Sequence, residues 1–257
     1  MDTLQSSSQG RSRTEPTPPR VAVVVPTYNE RGNVGQVKKR LGPVAESLGG
    51  SFWVLFVDDN SPDGTAGEVK AMMQGDPSVR LLERKEKKGL GTAYLEGFRY
   101  ALANFDPDVV VQMDADLQHP PEEVGPLVRS VVQGADVAIA SRRVEGGGFK
   151  GLTLWRRMVS RGASWLSRTI LGLEVRDTTT GFRAFRKGAV ETLLAHPPRA
   201  VGFIFEVESL YILKRYGFGM VEIPFVFVER ATGASKMGMG EIWEFFRGVL
   251  AIRFRKY

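Results

Sequence analysis

Between Val21 and Ala140, short apolar runs alternate with longer amphipathic stretches. Val21–Val25, Phe52–Val57, Val79–Leu82, Val109–Met113 and Asp136–Ala140 are rich in Val, Ile, Leu and Phe, and they predict strands. Helical periodicity between them predicts helices over 33–48, 65–73, 91–104 and 121–133. The runs lack polar alternation, which suits strands covered on both faces. Strand and helix in alternation predict an α/β fold, with a mostly parallel central sheet flanked by helices. Beyond residue 150 the pattern loosens into helices, the clearest over 153–171, and one late strand over 221–228. Residues 1–19 are rich in Ser, Thr, Pro and Arg and read as a disordered tail.

Polar clusters follow three of the runs: Pro26-Thr27-Tyr28-Asn29-Glu30, Asp58 to Thr65, and Asp114-Ala115-Asp116-Leu117-Gln118-His119. In a parallel sheet the carboxyl ends of the strands share one edge, where ligands bind. All three clusters are therefore expected in one site. In extended chain, Asp114 and Asp116 project to the same side, and their mutual repulsion calls for a hard divalent cation. Tyr28 offers a stacking face, and Glu30 and Asp59 offer acceptors for a nucleoside. Asp63 and Thr65 suit helix capping. Gly89-Leu90-Gly91 opens a helix whose N-terminus attracts anions, or is simply capped. His119 precedes two prolines and reads as a turn residue, and His196 as structural.

Composition narrows the chemistry. The absence of cysteine excludes disulfides, cysteine-ligated zinc and thiol nucleophiles. A net charge of +6 favours a polyanionic partner. Carboxylates at three strand ends argue against nucleic acid. No run of about 18 uncharged apolar residues predicts a membrane span, and no signal peptide is expected.

The basic residues lie later in the chain. Arg142 and Arg143 follow the 136–140 strand and are expected at the ligand edge. On the 153–171 helix, Trp155, Met158, Val159, Leu166 and Ile170 form a stripe. Arg156 and Ser160 share one face, and Arg157, Arg161 and Arg168 another. The helix reads either as interfacial, on anionic lipid, or as a core stripe with a solvated basic face. Arg230 and Lys236 lie on a loop that can close over phosphates. Residues 239–257 read as a basic-ended amphipathic helix.

These segments occur in order as VVVPTYNERGNV, VDDNSPDGTA, GLGTAYLEGF, MDADLQHPPE, SRRVEGGG, RRMVSRGASWLSR, DTTTGFRAFRK and ERATGASKM. The chain resembles the dolichyl-phosphate mannosyltransferases, within the family-two glycosyltransferases of GT-A fold, over about residues 21–250. The resemblance implies a catalytic domain over 20–238 that moves mannose from GDP-mannose to dolichyl or polyprenyl phosphate. It implies guanosine contacts at Pro26, Tyr28, Glu30, Val57 and Asp59, and sugar-diphosphate contacts at Asp114, Ala115 and Asp116. Mg²⁺ or Mn²⁺ would sit on Asp116 and Gln118, with Asp114 close by or ligating. Arg142, Arg230 and Lys236 would bind donor, and Arg142, Arg156 and Ser160 the acceptor phosphate. Asp116 and Arg142 would be catalytic. The resemblance also implies work at the cytoplasmic face of a membrane, with peripheral attachment or separate small membrane-anchoring subunits. A dolichyl-phosphate glucosyltransferase using UDP-glucose is the alternative. No Gln-x-x-Arg-Trp segment points to a processive synthase.

Overall fold

The computed structural model describes residues 17–200, 202, 204–229 and 239–257. Strands β1 (Val21–Thr27), β2 (Phe52–Asp58), β3 (Val79–Glu83), β4 (Val109–Gln112) and β5 (Val137–Ser141) alternate with helices α1 (Asn33–Leu48), α2 (Thr65–Gly75), α3 (Leu90–Phe105) and α4 (Val124–Val132). The short β6 (Gly148–Lys150) leads into α5 (Leu154–Leu171) and β7 (Arg183–Arg186). The chain continues through α6 (Lys187–Ala195), α7 (Ile204–Arg215), β8 (Met220–Pro224), β9 (Val226–Val228) and α8 (Met239–Phe254).

Seven strands form one sheet in the order β3-β2-β1-β4-β7-β5-β8. All run parallel except β7, which is antiparallel to both its neighbours. The predicted α/β architecture with a mostly parallel sheet is therefore present. Val21 to Val25 are completely buried because the sheet is covered on both faces. Alternate side chains serve opposite cores. Val21, Val23 and Val25 meet α1, α2 and α4, whereas Ala22 and Val24 meet α3, α6 and α7. Gly97 allows α3 to lie close on the sheet, since a Cβ there would stand 2.4 Å from Val24.

The second half departs from the sequence expectation. The late strand is broken: Phe225 separates β8, in the main sheet, from β9, which pairs with β6. Strand β7 lies mid-sheet, so the Asp177–Phe182 segment at its start reaches the edge where its parallel neighbours end. Helix α8 packs against α5 and α7, burying Val249 and Ile252. Its Trp243 and Phe254 stay exposed. Glu208 ties the C-terminus down, accepting from the Tyr257 hydroxyl at 2.6 Å and pairing with Arg255. Among the described residues, no helix is long and apolar enough to cross a membrane.

Candidate active site

The loops after β1 and β2 are laced together. The Thr27 hydroxyl donates to Asp58 Oδ1 at 3.0 Å, the Asn29 amide to Ser61 Oγ at 3.0 Å, and the Glu30 amide to Thr65 Oγ1 at 3.0 Å. Asp58 also accepts the Ser61 amide and hydroxyl, so it shapes the turn. Asp63 accepts the Thr65 amide and hydroxyl from one residue before Gly64, which is the N-cap of α2, so it shapes the turn into the helix and the expected side-chain cap is absent.

Asp59 is buried against the Arg84 guanidinium, which Glu96 and Thr92 also hold. Burial pushes the Asp59 carboxyl up, and Arg84 only partly offsets this. Tyr28 is 40% exposed, with the Lys87 ammonium 3.7 Å from its ring centroid. Pro26 is half-buried beside them. The Val57 side chain is fully buried in the core beneath α3, which leaves its main chain at the edge. Gly91 serves packing, since a Cβ there would strike the Phe205 ring at 2.4 Å.

The second acidic cluster is a turn, not the extended chain assumed from its spacing. Strand β4 ends at Gln112, and Leu117 adopts φ of 63°. The Gln118 amide donates to Asp116 Oδ1 at 3.0 Å. The Asp114 amide donates to His119 Nδ1 at 3.0 Å. That nitrogen is then an acceptor, so the imidazole is neutral and not an ion-pair partner of Asp114. His119 is buried, stacked on Phe182 at 4.9 Å, and holds the turn's shape. Ala115 is buried too.

Fully buried Tyr94, on α3, donates its hydroxyl to Asp114 Oδ1 at 2.6 Å. Burial first, then Asp114, Glu206 and Asp116, keep that phenol protonated. Beneath the turn, Gln112 donates to Glu206 at 2.7 Å, and Glu206 faces buried Arg183 at 3.1 Å. Burial pushes the Glu206 carboxyl up to about 7, against the pull of Arg183.

Among the described residues, no three His, Cys, Asp or Glu side chains stand together as a metal cage. Asp114, Asp116 and Gln118 supply two carboxylates and an amide oxygen. That oxygen set fits a hard cation whose other positions are taken by substrate phosphates and water.

On the far side of β7, Arg142 is clamped by buried Asp177, with Nε–Oδ2 at 2.7 Å and Nη2–Oδ1 at 2.6 Å. Burial raises the Asp177 carboxyl, but Arg142 and Arg143 outweigh it and hold it below its ordinary value. Arg143 donates to the Ser160 hydroxyl at 2.7 Å. Arg156 pairs with Glu229. Thus Pro26, Tyr28, Glu30, Asp59, Asp114, Asp116, Gln118 and Arg142 belong to one sheet edge. Arg156 and Ser160 lie on α5 beside it, and Arg230 and Lys236 fall outside the described residues. Sequence reasoning missed Arg84, Tyr94, Asp177, Arg183 and Glu206. Three of them sit in recognisable segments, Tyr94 in GLGTAYLEGF and both Asp177 and Arg183 in DTTTGFRAFRK.

The family model for glycosyl transferase family 2 matches residues 22–194. The chain is 38% identical to the polyprenol monophosphomannose synthase of Mycolicibacterium smegmatis, over 93% of this chain and 89% of that one. It is 40% identical to the undecaprenyl-phosphate mannosyltransferase of Micrococcus luteus, over 88% and 90%. In fold it is similar to the glucosyl-3-phosphoglycerate synthase of Mycobacterium tuberculosis, solved with Mn²⁺, UDP-glucose and glycerol 3-phosphate. That match has a TM-score of 0.63 at 23% identity and covers 91% of this chain and 78% of that one. The sheet with its acidic turn, the matched family model and these relatives agree: the chain belongs to glycosyl transferase family 2.

Proposed function

We propose that the chain transfers mannose from GDP-mannose to polyprenyl phosphate, of which dolichyl phosphate is one form, with inversion at the anomeric carbon. One observation carries the reading. The Asp114–Gln118 turn follows β4 and Arg142 follows β5, and only β7 separates these strands. Two inter-strand spacings are roughly 10 Å, a span that suits a donor diphosphate beside an acceptor phosphate. The names of the two mannosyl-transferring relatives support the sugar and the lipid class.

In this reading Tyr28, Glu30 and Asp59 hold the guanosine, and Pro26 and Val57 line it with main chain. Asp114, Ala115 and Asp116 face the sugar diphosphate. A bound Mg²⁺ or Mn²⁺ at Asp114, Asp116 and Gln118 supplies positive charge for the departing nucleoside diphosphate. Arg142, Arg230 and Lys236 complete the donor site. Arg142, Arg156 and Ser160 orient the attacking lipid phosphate against repulsion from the donor. Because a phosphate is ionised at neutral pH, no general base is required. Asp177 fixes the Arg142 fork, so little reorganisation accompanies the reaction.

The catalytic unit spans 20–238, with 239–257 as an interfacial helix; residues 1–16 of the tail expected over 1–19 lie outside the described residues. Exposed Trp155, Trp165, Trp243 and Phe254 on α5 and α8 support contact with the cytoplasmic surface of a membrane, by direct attachment or through small membrane subunits. Incubation with polyprenyl phosphate, Mn²⁺ and labelled GDP-mannose or UDP-glucose tests the donor. Lipid-extractable label from GDP-mannose is expected. Label from UDP-glucose alone refutes the mannose reading.

A further inference from the structure

Connecting segments usually run over a protein's surface, where water satisfies their polar groups. The stretch from Asp177 to Phe182, between α5 and β7, does not. Asp177, Thr178 and Phe182 are completely buried, and Thr180 nearly so. Its polar groups are met inside the molecule. The Thr178 hydroxyl pairs with Ser167 Oγ of α5 at 2.7 Å, and the Thr178 carbonyl accepts from Arg183 Nη2 at 3.2 Å. The Phe182 amide donates to Thr180 Oγ1 at 3.3 Å, and the Phe182 carbonyl accepts from the Ala140 amide of β5 at 3.0 Å. Partners on every side leave this irregular backbone little freedom.

Its two ends serve different halves of the site. At the start, Asp177 clamps the Arg142 fork, and Arg142 Nη2 also donates to Thr179 Oγ1 at 3.0 Å. At the end, the Phe182 ring lies nearly parallel to His119, with centroids 4.9 Å apart and planes 12° apart. His119 Nδ1 in turn accepts the Asp114 amide of the acidic turn. Phe225 meets Phe182 edge-on at 6.0 Å and backs the pair. Just before Phe182, Gly181 lies against the hydrogen bond from Gln112 to Glu206 beneath the same turn. A Cβ at Gly181 would stand 3.2 Å from Glu206 Oε1 and 3.4 Å from Gln112 Nε2.

We infer that Gly181 and Phe182 are positioning residues for the acidic turn, and that the Asp177–Phe182 segment is one brace holding that turn and the Arg142 fork at a fixed separation. The inference rests on the proposed function, which puts donor diphosphate at the turn and acceptor phosphate at the fork. In-line transfer needs the attacking phosphate within about 3–3.5 Å of the anomeric carbon. The two phosphates repel each other. Separate supports would let that repulsion drive the halves apart, and a common support opposes it.

Two substitutions test the brace. Phe182→Leu keeps an apolar side chain but removes the ring stacked on His119. Gly181→Ala presses a methyl on the Gln112–Glu206 pair without backbone strain, since Gly181 is not in the left-handed region. Two binding measurements are made on the full chain. One is a Mn²⁺ titration in the presence of GDP. The other is metal-free flotation with neutral phosphatidylcholine vesicles carrying polyprenyl phosphate or, as the blank, polyprenol. Each variant is expected to lower both affinities, each by about tenfold, the scale for loss of a group supporting a ligand-bearing residue. Phe105→Leu disturbs the stack on Trp53 at the other end of α3 and controls for general loss of packing. It is expected to leave both affinities unchanged. A fall in one affinity alone, a fall in neither, or an equal fall in Phe105→Leu overturns the brace. Wild type that floats no better with polyprenyl phosphate than with polyprenol removes the brace and the proposed function together. If wild type binds both ligands and the variants lose both, yet no mannose is transferred, the proposed function fails and the brace stands.

Discussion

The carboxylate half of the site and the arginine half are built differently. Around β1, β2 and β4, each functional side chain stands within a few residues of a buried parallel strand. Loop-to-loop hydrogen bonds such as Asn29 to Ser61 and Glu30 to Thr65 fix these positions. The arginine half gathers its groups from the end of β5, one face of α5 and the segment before β7. Its order depends on Asp177 and on packing between distant stretches. The first half is suited to a metal and diphosphate, which demand close geometry. The second is suited to a bulky amphiphile, which demands charge and access.

The largest effect is expected in the carboxylate half. Asp116→Ala is predicted to lower turnover on the order of 10³-fold, as for loss of a group that stabilises transition-state charge. Initial rates across a Mn²⁺ titration check this, and a merely halved rate breaks the assignment. Asp177→Asn probes the other half. It frees Arg142, and misplacement of an orienting group costs about 10²-fold in kcat/KM for lipid phosphate. Donor affinity by titration is expected to fall much less, since Arg142 is one of several donor contacts, so an equal loss of GDP-mannose binding erases the distinction between the halves.

Tyr94→Phe removes the hydroxyl on Asp114 but keeps the ring against Phe205. Metal affinity is expected to fall about tenfold, as for loss of a group that orients a ligand. The denaturation midpoint is expected to stay close to wild type. A large drop in stability with unchanged metal affinity makes Tyr94 a packing residue only.

The smallest effect is a pH dependence of stability. Glu206 is raised to about 7 from an ordinary 4.5, so the folded state binds the extra proton. Its contribution is fully present below about 4.5 and is lost as pH rises to about 7, by on the order of 1–3 kcal/mol. Urea denaturation across that window is expected to show the decline in wild type. Glu206→Gln is expected to flatten it, and an identical slope in the variant removes Glu206 as the cause.

The difference between the halves also explains what could be read from the sequence. Strands β1, β2, β4 and β5 were legible because strands covered on both faces carry near-continuous apolar runs. Their shared edge then placed Tyr28, Glu30, Asp59, Asp114 and Asp116 together. Strand β7 was not legible: its four residues are Arg183, Ala184, Phe185 and Arg186, with no apolar run. The break at Phe225 was signalled by Pro224 just before it, but the Val, Ile and Phe on either side read as one strand. Arg84, Asp177 and Glu206 read locally as solvated charges, since only long-range packing buries them against partners. On α5, sequence drew one apolar stripe, yet Trp155 and Met158 face solvent while Val159, Leu166 and Ile170 are half-buried.

Metal-dependent inverting transfer across the β4–β5 edge is tested most directly by the anomeric configuration of the product. Labelled GDP-mannose, polyprenyl phosphate and the full chain are incubated with Mn²⁺ and, separately, with excess chelator. GDP-mannose is α-linked, so the account predicts a β-linked mannosyl phosphate lipid with metal and none in chelator. An α-linked product, or full turnover in chelator, contradicts it.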